Sequence, residues 1–379
     1  MRRHSVSPEI PHERDLTTSG RDTPSNRHAV AFDDIAHNLV LGNKLRIFPD
    51  SSAGLEILDI ELGRRKFVRG DRYHRWLTVH YRLNGVIGSK RLWLKFRPQL
   101  DRLLPMLDAY QEQLNLQPFP RAYFAWRSRD DDMAVLATAY VRGAVLRNRL
   151  LMLGLFRRTA QLHPVFRSNG SKMRQFHDAF APSGSVAIGP LVASTAGLVR
   201  NTPAFSTEEK SSVLSHLERY AAALSIRELP AVKIHNDWIL RNIIVAADGT
   251  DYVVDCDSMR SGADLRWLDL AYLLLNIESQ MKWFPLVTAG MLSRLWGEFW
   301  RGYVGESGIP DDLTPEQVAA ILYILRLRYL LGGTSRPAYL TARNGLHNYP
   351  LLSSLRESVV MGRATQLELS VEATGAAGG

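Results

Sequence analysis

His235-Asn236-Asp237-Trp238-Ile239-Leu240-Arg241-Asn242-Ile243-Ile244-Val245, followed by Val253-Val254-Asp255-Cys256-Asp257, is the stretch around which the chain is organised. An H-x-D-x-x-x-x-N pattern places a carboxylate where it orients and deprotonates an attacking hydroxyl, with an amide oxygen further along that reaches a metal ion. The apolar triplet after Asn242 reads as a strand, Asp248-Gly249 as a hairpin turn, and Tyr252-Val253-Val254 as the returning strand. Asp255 is therefore expected beside Asn242, which sets two hard oxygen donors next to a candidate base. The bland alternative is an ordinary loop and hairpin with solvated Asp side chains. The ordered set, with strand, turn and strand between its parts, favours the chemical reading.

Upstream of this stretch the pattern is strand-like. Residues 55–62 and 76–83 alternate apolar and polar side chains, and 91–96 follows after Asn84-Gly85 and Gly88, so three consecutive antiparallel strands are expected. Leu103, Leu104, Leu107, Tyr110 and Leu114 recur at helical spacing over 100–116. Residues 123–126 and 133–138 then read as two more strands, giving a five-stranded sheet with one helix. From 147 onward the spacing turns helical, with a first helix ending at His163-Pro164. Residues 165–205, rich in Gly, Ser, Ala and Pro, read as an insert that shapes a substrate site. Ser206-Thr207-Glu208-Glu209 is a capping box opening another helix. Residues 267–276, 286–303, 314–331 and 351–367 are helical in pattern.

Strands grouped before helices imply an α+β chain in two lobes. The expected division is a disordered segment over 1–28, a nucleotide-binding lobe over 29–140, a helical catalytic and substrate lobe over 141–370 and a flexible tail over 371–379. Tyr140-Val141-Arg142-Gly143 would be the hinge, beside a cleft suited to a nucleotide.

Composition narrows the class. With 379 residues, 45% hydrophobic and 22% charged, the chain is expected to fold and to bury a sizeable core. The single cysteine excludes a disulfide framework and a cysteine-rich metal site. No apolar signal core follows the basic start, and no run approaches the ~18 apolar residues of a membrane span. The expected location is cytoplasmic. A net charge of +9 points to an acidic partner: a phosphorylated compound or, peripherally, an anionic membrane surface. No zinc finger, RNP-type strand or long basic run is present, so no nucleic-acid partner is expected.

The residues His235-Asn236-Asp237 to Asn242, then Asp255-Cys256-Asp257, then Trp267-Leu268-Asp269-Leu270-Ala271 resemble the aminoglycoside phosphotransferase and choline kinase group of the protein-kinase-like fold. Gln161-Leu162-His163 is similar to a helix end in that group, and Tyr140-Val141 to its hinge. The resemblance covers about residues 55–330 and is more specific in its second half. It implies ATP, or GTP, as phosphoryl donor with Mg2+, and a hydroxyl of a small molecule as acceptor. It implies Asp237 as base, Asn242 and Asp255 as magnesium ligands, Lys95 on the α- and β-phosphates and Glu112 as its ion-pair partner. An exposed Lys–Glu pair is the bland alternative. Asp257 reads as an outer metal ligand or part of a turn. Asp269 reads as a group bonding the catalytic loop or capping a helix, and His235 as structural.

The chain also departs from that group. A basic loop over 63–70, with Gly63 and Gly70 but no G-x-G-x-x-G, stands where a phosphate-binding loop is usual, and it reads either as a phosphate grip or as a solvated hairpin. Asn236 replaces the usual Gly, and Trp238 and Arg241 flank the catalytic residues with bulk. Basic residues balance the acidic ones over 259–379, which ranks a neutral or anionic metabolite, sugar or glycan above a polycationic antibiotic. The rival reading is a catalytically weak or inactive kinase-like nucleotide-binding scaffold.

Overall fold

The structure is a computed structural model that describes residues 36–49, 54–69, 72–98, 104, 107–108, 118–127, 133–203, 205–256, 259, 264–283 and 286–332. The expectations for 1–28, most of 100–116 with Glu112, Asp257, the helix over 351–367 and the tail lie outside these residues. The chain is α+β. Strands β1 (Leu55–Arg69), β2 (Arg72–Leu83), β3 (Val86–Pro98), β4 (Ala122–Arg127) and β5 (Met133–Ala139) form an antiparallel sheet in the order β1-β2-β3-β5-β4. Asn84 and Gly85, at φ 49° and 81°, make the two-residue turn between β2 and β3, the left-handed pair that suits the twist of a hairpin.

The first hairpin overturns one expectation. Residues 63–69 continue β1, and Arg65 pairs with Arg75, so the basic segment is strand and not a loop. Gly63 has a packing role there. A Cβ at that position would sit 2.1 Å from the Trp76 ring, and its carbonyl accepts from Arg75 Nε at 2.6 Å.

The sheet's faces serve two cores. Leu77, Val79, Leu92, Leu94, Phe96, Phe124 and Val135 close one against Val40, Ile47 and Phe48. Ala122, Ala134 and Leu136 join the larger core of the helical part. That part holds α1 (Leu146–Leu155), α2 (His163–Asp178), α3 (Ile188–Asn201), α4 (Thr207–Ala223), α5 (Trp267–Trp283), α6 (Ala289–Val304) and α7 (Pro315–Gly332). Small sheets accompany them: β6 (Gly143–Val145) beside β9 (Ile243–Ala246) and β10 (Asp251–Val253), and β7 (Ser185–Ala187) beside β8 (Glu228–Val232) and β11 (Asp264–Leu265).

One reading is corrected here. His163-Pro164 opens α2 instead of closing the preceding helix, because proline at a first helical position gives up no intrahelical bond. The segment 165–205, read as an insert that shapes a substrate site, is largely α2 and α3. Gly170 in this segment is set by crowding: a Cβ there would lie 2.0 Å from the Phe299 carbonyl oxygen, and one on Gly302 of α6 would lie 2.0 Å from that of Arg167. Glycine therefore lets α2 and α6 cross backbone to backbone. The capping box at Ser206 and Glu209 forms as expected.

Candidate active site

The loop between β8 and β9 is fixed mainly through its backbone. The Asp269 carboxylate, on the first turn of α5 and fully buried, accepts the His235 N–H and the Asn236 N–H at 2.7 Å each. Of the two roles read for Asp269, bonding the loop is the one it performs. These bonds hold Asn236 at φ 62°, a left-handed conformation that asparagine tolerates better than most residues but still at a cost. Further along, the Leu240 N–H donates to Asn276 Oδ1 at 3.0 Å. His235 is buried with its ring stacked on Phe119, centroids 5.8 Å apart, which suits its structural reading. Trp238 does not flank the cleft: it is fully buried, edge-on to His235, and donates to Asn169 Oδ1 at 3.3 Å.

Asp237 emerges from this loop partly exposed. Asn242 Nδ2 donates to its Oδ2 at 2.8 Å and to its backbone oxygen at 2.9 Å. Burial pushes the Asp237 carboxyl above the ordinary carboxylate range, opposed by the Arg241 guanidinium and the Asn242 hydrogen bond. Arg241, mostly exposed, has Nη2 3.7 Å from Asp237 Oδ2. The β9–β10 hairpin returns the chain as expected. Val253 pairs with Ile243, and the Val254 N–H donates to the Asn242 carbonyl at 2.7 Å. The next residue, Asp255, takes φ 69°.

The turn end of this hairpin is anchored from α2. Asp251 is buried and accepts from Ser168 Oγ at 2.8 Å and Asn169 Nδ2 at 2.7 Å, with Lys172 Nζ 2.9 Å from its Oδ2. A buried carboxylate met by a cation and two neutral donors keeps its desolvation compensated, so α2 holds the hairpin that carries Asp255.

Lys95, buried on β3 opposite His74 and Leu136, reaches across from the sheet. Its Nζ lies 2.6 Å from Asp255 Oδ1. The structure therefore gathers Asp237, Asn242, Asp255 and Lys95 at one place. Glu112, read as the ion-pair partner of Lys95, lies outside the described residues. Tyr140 and Val141 follow β5 in the connection to β6, Tyr140 at the exposed limit and Val141 half-buried. The Tyr140 N–H is already committed to the Arg91 carbonyl at 3.2 Å.

Among the described residues, no three His, Cys, Asp or Glu side chains gather as a metal cage. The donor set present fits a magnesium ion that keeps its waters and relies on substrate phosphates. Asn242 Nδ2 is committed to Asp237, which turns Oδ1 into the end available to a cation, and Asp255 supplies a half-exposed carboxylate.

Sequence reasoning missed His177, Tyr303, Asn276 and the Asp251 anchor. Each acts through contacts between distant segments, and none carries a local motif. No described helix is long and apolar enough to cross a membrane.

No family model and no curated protein matches the sequence. Among solved structures, the chain is similar to choline kinase LicA from Streptococcus pneumoniae, at 16% identity over 89% of this chain and 99% of that one, with a TM-score of 0.47. It is similar to aminoglycoside phosphotransferase APH(4)-Ia in ternary complex with AMP-PNP and hygromycin B, at 14% identity over 84% of this chain and 98% of that one, TM-score 0.47. A third is spectinomycin phosphotransferase APH(9)-Ia with ADP and spectinomycin, at 12% identity over 84% and 94%, TM-score 0.44.

Proposed function

We propose that the chain is a phosphotransferase that moves the γ-phosphoryl group of ATP to a hydroxyl of a small molecule. The observation that carries this reading is the convergence of Asp237, Asn242, Asp255 and Lys95 from the loop, the hairpin and the sheet. Phosphoryl transfer needs little covalent help from a protein. It needs in-line positioning and cations on the phosphate oxygens.

In this reading Asp237 accepts the acceptor's hydroxyl proton. Asn242 pins Oδ2, leaving Oδ1 to face the hydroxyl, and the raised pKa makes the carboxylate a better proton acceptor than an exposed one. Lys95 holds phosphate oxygens once it leaves Asp255. Asn242 Oδ1 and Asp255 would hold Mg2+, which would supply positive charge to offset that of the transferring phosphoryl group. Arg241 beside Asp237 adds positive charge where the acceptor enters. That disfavours a polycationic acceptor and favours a neutral or anionic alcohol such as a sugar, a glycan or another metabolite.

A non-catalytic nucleotide-binding protein is the second reading. It is favoured by the strand that replaces a glycine-rich loop at 63–69. Calorimetry with ATP, with and without Mg2+, combined with slow hydrolysis measured on the same protein, separates the two. Mg2+-dependent binding with turnover supports the enzyme, binding without turnover supports the second reading, and absence of binding rejects both.

A further inference from the structure

A line of buried polar side chains ends on the back of the candidate catalytic loop. Tyr303 on α6 has its hydroxyl 3.0 Å from His177 Nδ1 on α2, and His177 Nε2 lies 3.1 Å from Asp269 Oδ2 on α5. All three are buried, with 0% exposure at Tyr303 and Asp269 and 1% at His177. The same Asp269 oxygen receives the His235 N–H, and its other oxygen receives the Asn236 N–H.

Counting donors fixes the proton positions. An ionised carboxylate only accepts, so the imidazole proton sits on Nε2; Nδ1 is then an acceptor, and the tyrosine O–H donates to it. Both end states are neutral. Burial drives the His177 pKa below the ordinary imidazole value against the opposing pull of Asp269, and burial drives Tyr303 above the ordinary phenol range. The ring of His177 is held between neighbours, with Phe176 and Tyr303 centroids at 5.7 and 5.9 Å. A carboxylate hydrogen-bonded on both oxygens, one of them to a ring that is itself fixed, has little rotational freedom. The strained Asn236 backbone is held by that carboxylate, and Asp237 is the next residue.

We propose that Tyr303 and His177 are positioning residues that fix the orientation of Asp269 and, through the His235–Asn236 turn, the aim of Asp237. Neither touches the reacting atoms. The activity arm of this inference rests on the phosphotransfer reading; the structural arm does not.

The test uses the full chain with Tyr303→Phe, His177→Ala and His177→Gln. Tyr303→Phe deletes one hydroxyl and keeps the ring packing, so a packing role leaves it silent. Expected results are a kcat for Mg-ATP turnover several-fold lower in Tyr303→Phe and lower by on the order of 10²-fold in His177→Ala, since small misplacements at a reacting group have effects of this size. KM for ATP stays unchanged, and His177→Gln, whose amide N–H replaces the Nε2 donor, recovers most of the loss. Amide hydrogen exchange read in parallel shows lost protection at His235 and Asn236 in Tyr303→Phe and His177→Ala, with the β3–β5 ladder unaffected. Nitrogen-15 NMR of His177 shows the neutral Nε2–H tautomer. Unchanged protection at His235 and Asn236 in folded Tyr303→Phe and His177→Ala overturns the inference, as does an Nδ1–H tautomer. If His177→Ala does not fold, Tyr303→Phe decides. If the wild type turns over no ATP, the phosphotransfer reading falls and amide exchange alone decides this one.

Discussion

The two sides of the candidate site are held in opposite ways. The helical side fixes its loop with hydrogen-bonded groups: buried Asp269 on two backbone amides and His177, half-buried Asn276 on Leu240, and buried Asp251 under the hairpin. The described sheet residues bring one charged group to the site, Lys95, through an ion pair with the half-exposed Asp255. A buried network costs much to rearrange, whereas an ion pair open to water on one side is worth little and exchanges readily. The aim of Asp237 is therefore built into the helical core. Lys95 meets the helical side through its ion pair with Asp255.

Removing Asp269 breaks this contrast most severely. Asp269→Ala leaves the His235 and Asn236 amides and His177 without their buried acceptor, and is expected to lower stability by about 3 kcal/mol or more. Urea unfolding of the pure protein measures it; a loss under about 1 kcal/mol would mean that the loop is held by packing and not by this carboxylate.

Lys95→Ala tests the other side. Because Asp255 is half exposed, the stability change is expected to stay within about 1 kcal/mol. ATP binding in the presence of Mg2+ is expected to weaken by on the order of tenfold or more, as loss of a charged hydrogen bond to phosphate entails. A large stability loss with unaltered nucleotide affinity would reverse the assignment of the two sides.

The smallest expected effect is a pH dependence. His177 is buried neutral, with its folded pKa below the ordinary value of 6.5 and Asp269, Tyr303, Arg266 and Asp178 around it. The unfolded chain therefore binds the extra proton, so the stability contributed is complete above about pH 6.5 and is lost as pH falls below it. His177→Gln is expected to flatten that part of the melting temperature profile relative to the wild type. Parallel profiles for the two proteins would show that His177 titrates as freely folded as unfolded.

How much of this was legible in the sequence follows the range of the contacts. The Asp237, Asn242 and Asp255 grouping is carried by one loop and one hairpin, so spacing and turn chemistry place it. Lys95 was legible as a residue of the third strand, although its reach to Asp255 across 160 positions was not. The Tyr303–His177 contact spans 126 positions and lies inside two helices, where neither residue departs from the local pattern. Composition misled where packing set it: Gly170 sits in a helix because a neighbouring helix passes too close for a side chain. The 63–69 segment misled for a related reason, since Gly63 lies under the Trp76 ring and the basic residues continue a strand.

Whether Asp237 is the proton acceptor of a phosphoryl transfer is decided by Mg-ATP turnover of the wild type and of Asp237→Ala at saturating nucleotide. Turnover in the wild type, falling by about 10²- to 10⁴-fold in the variant with ATP affinity unchanged, is the predicted result. Equal turnover in the two folded proteins would contradict it.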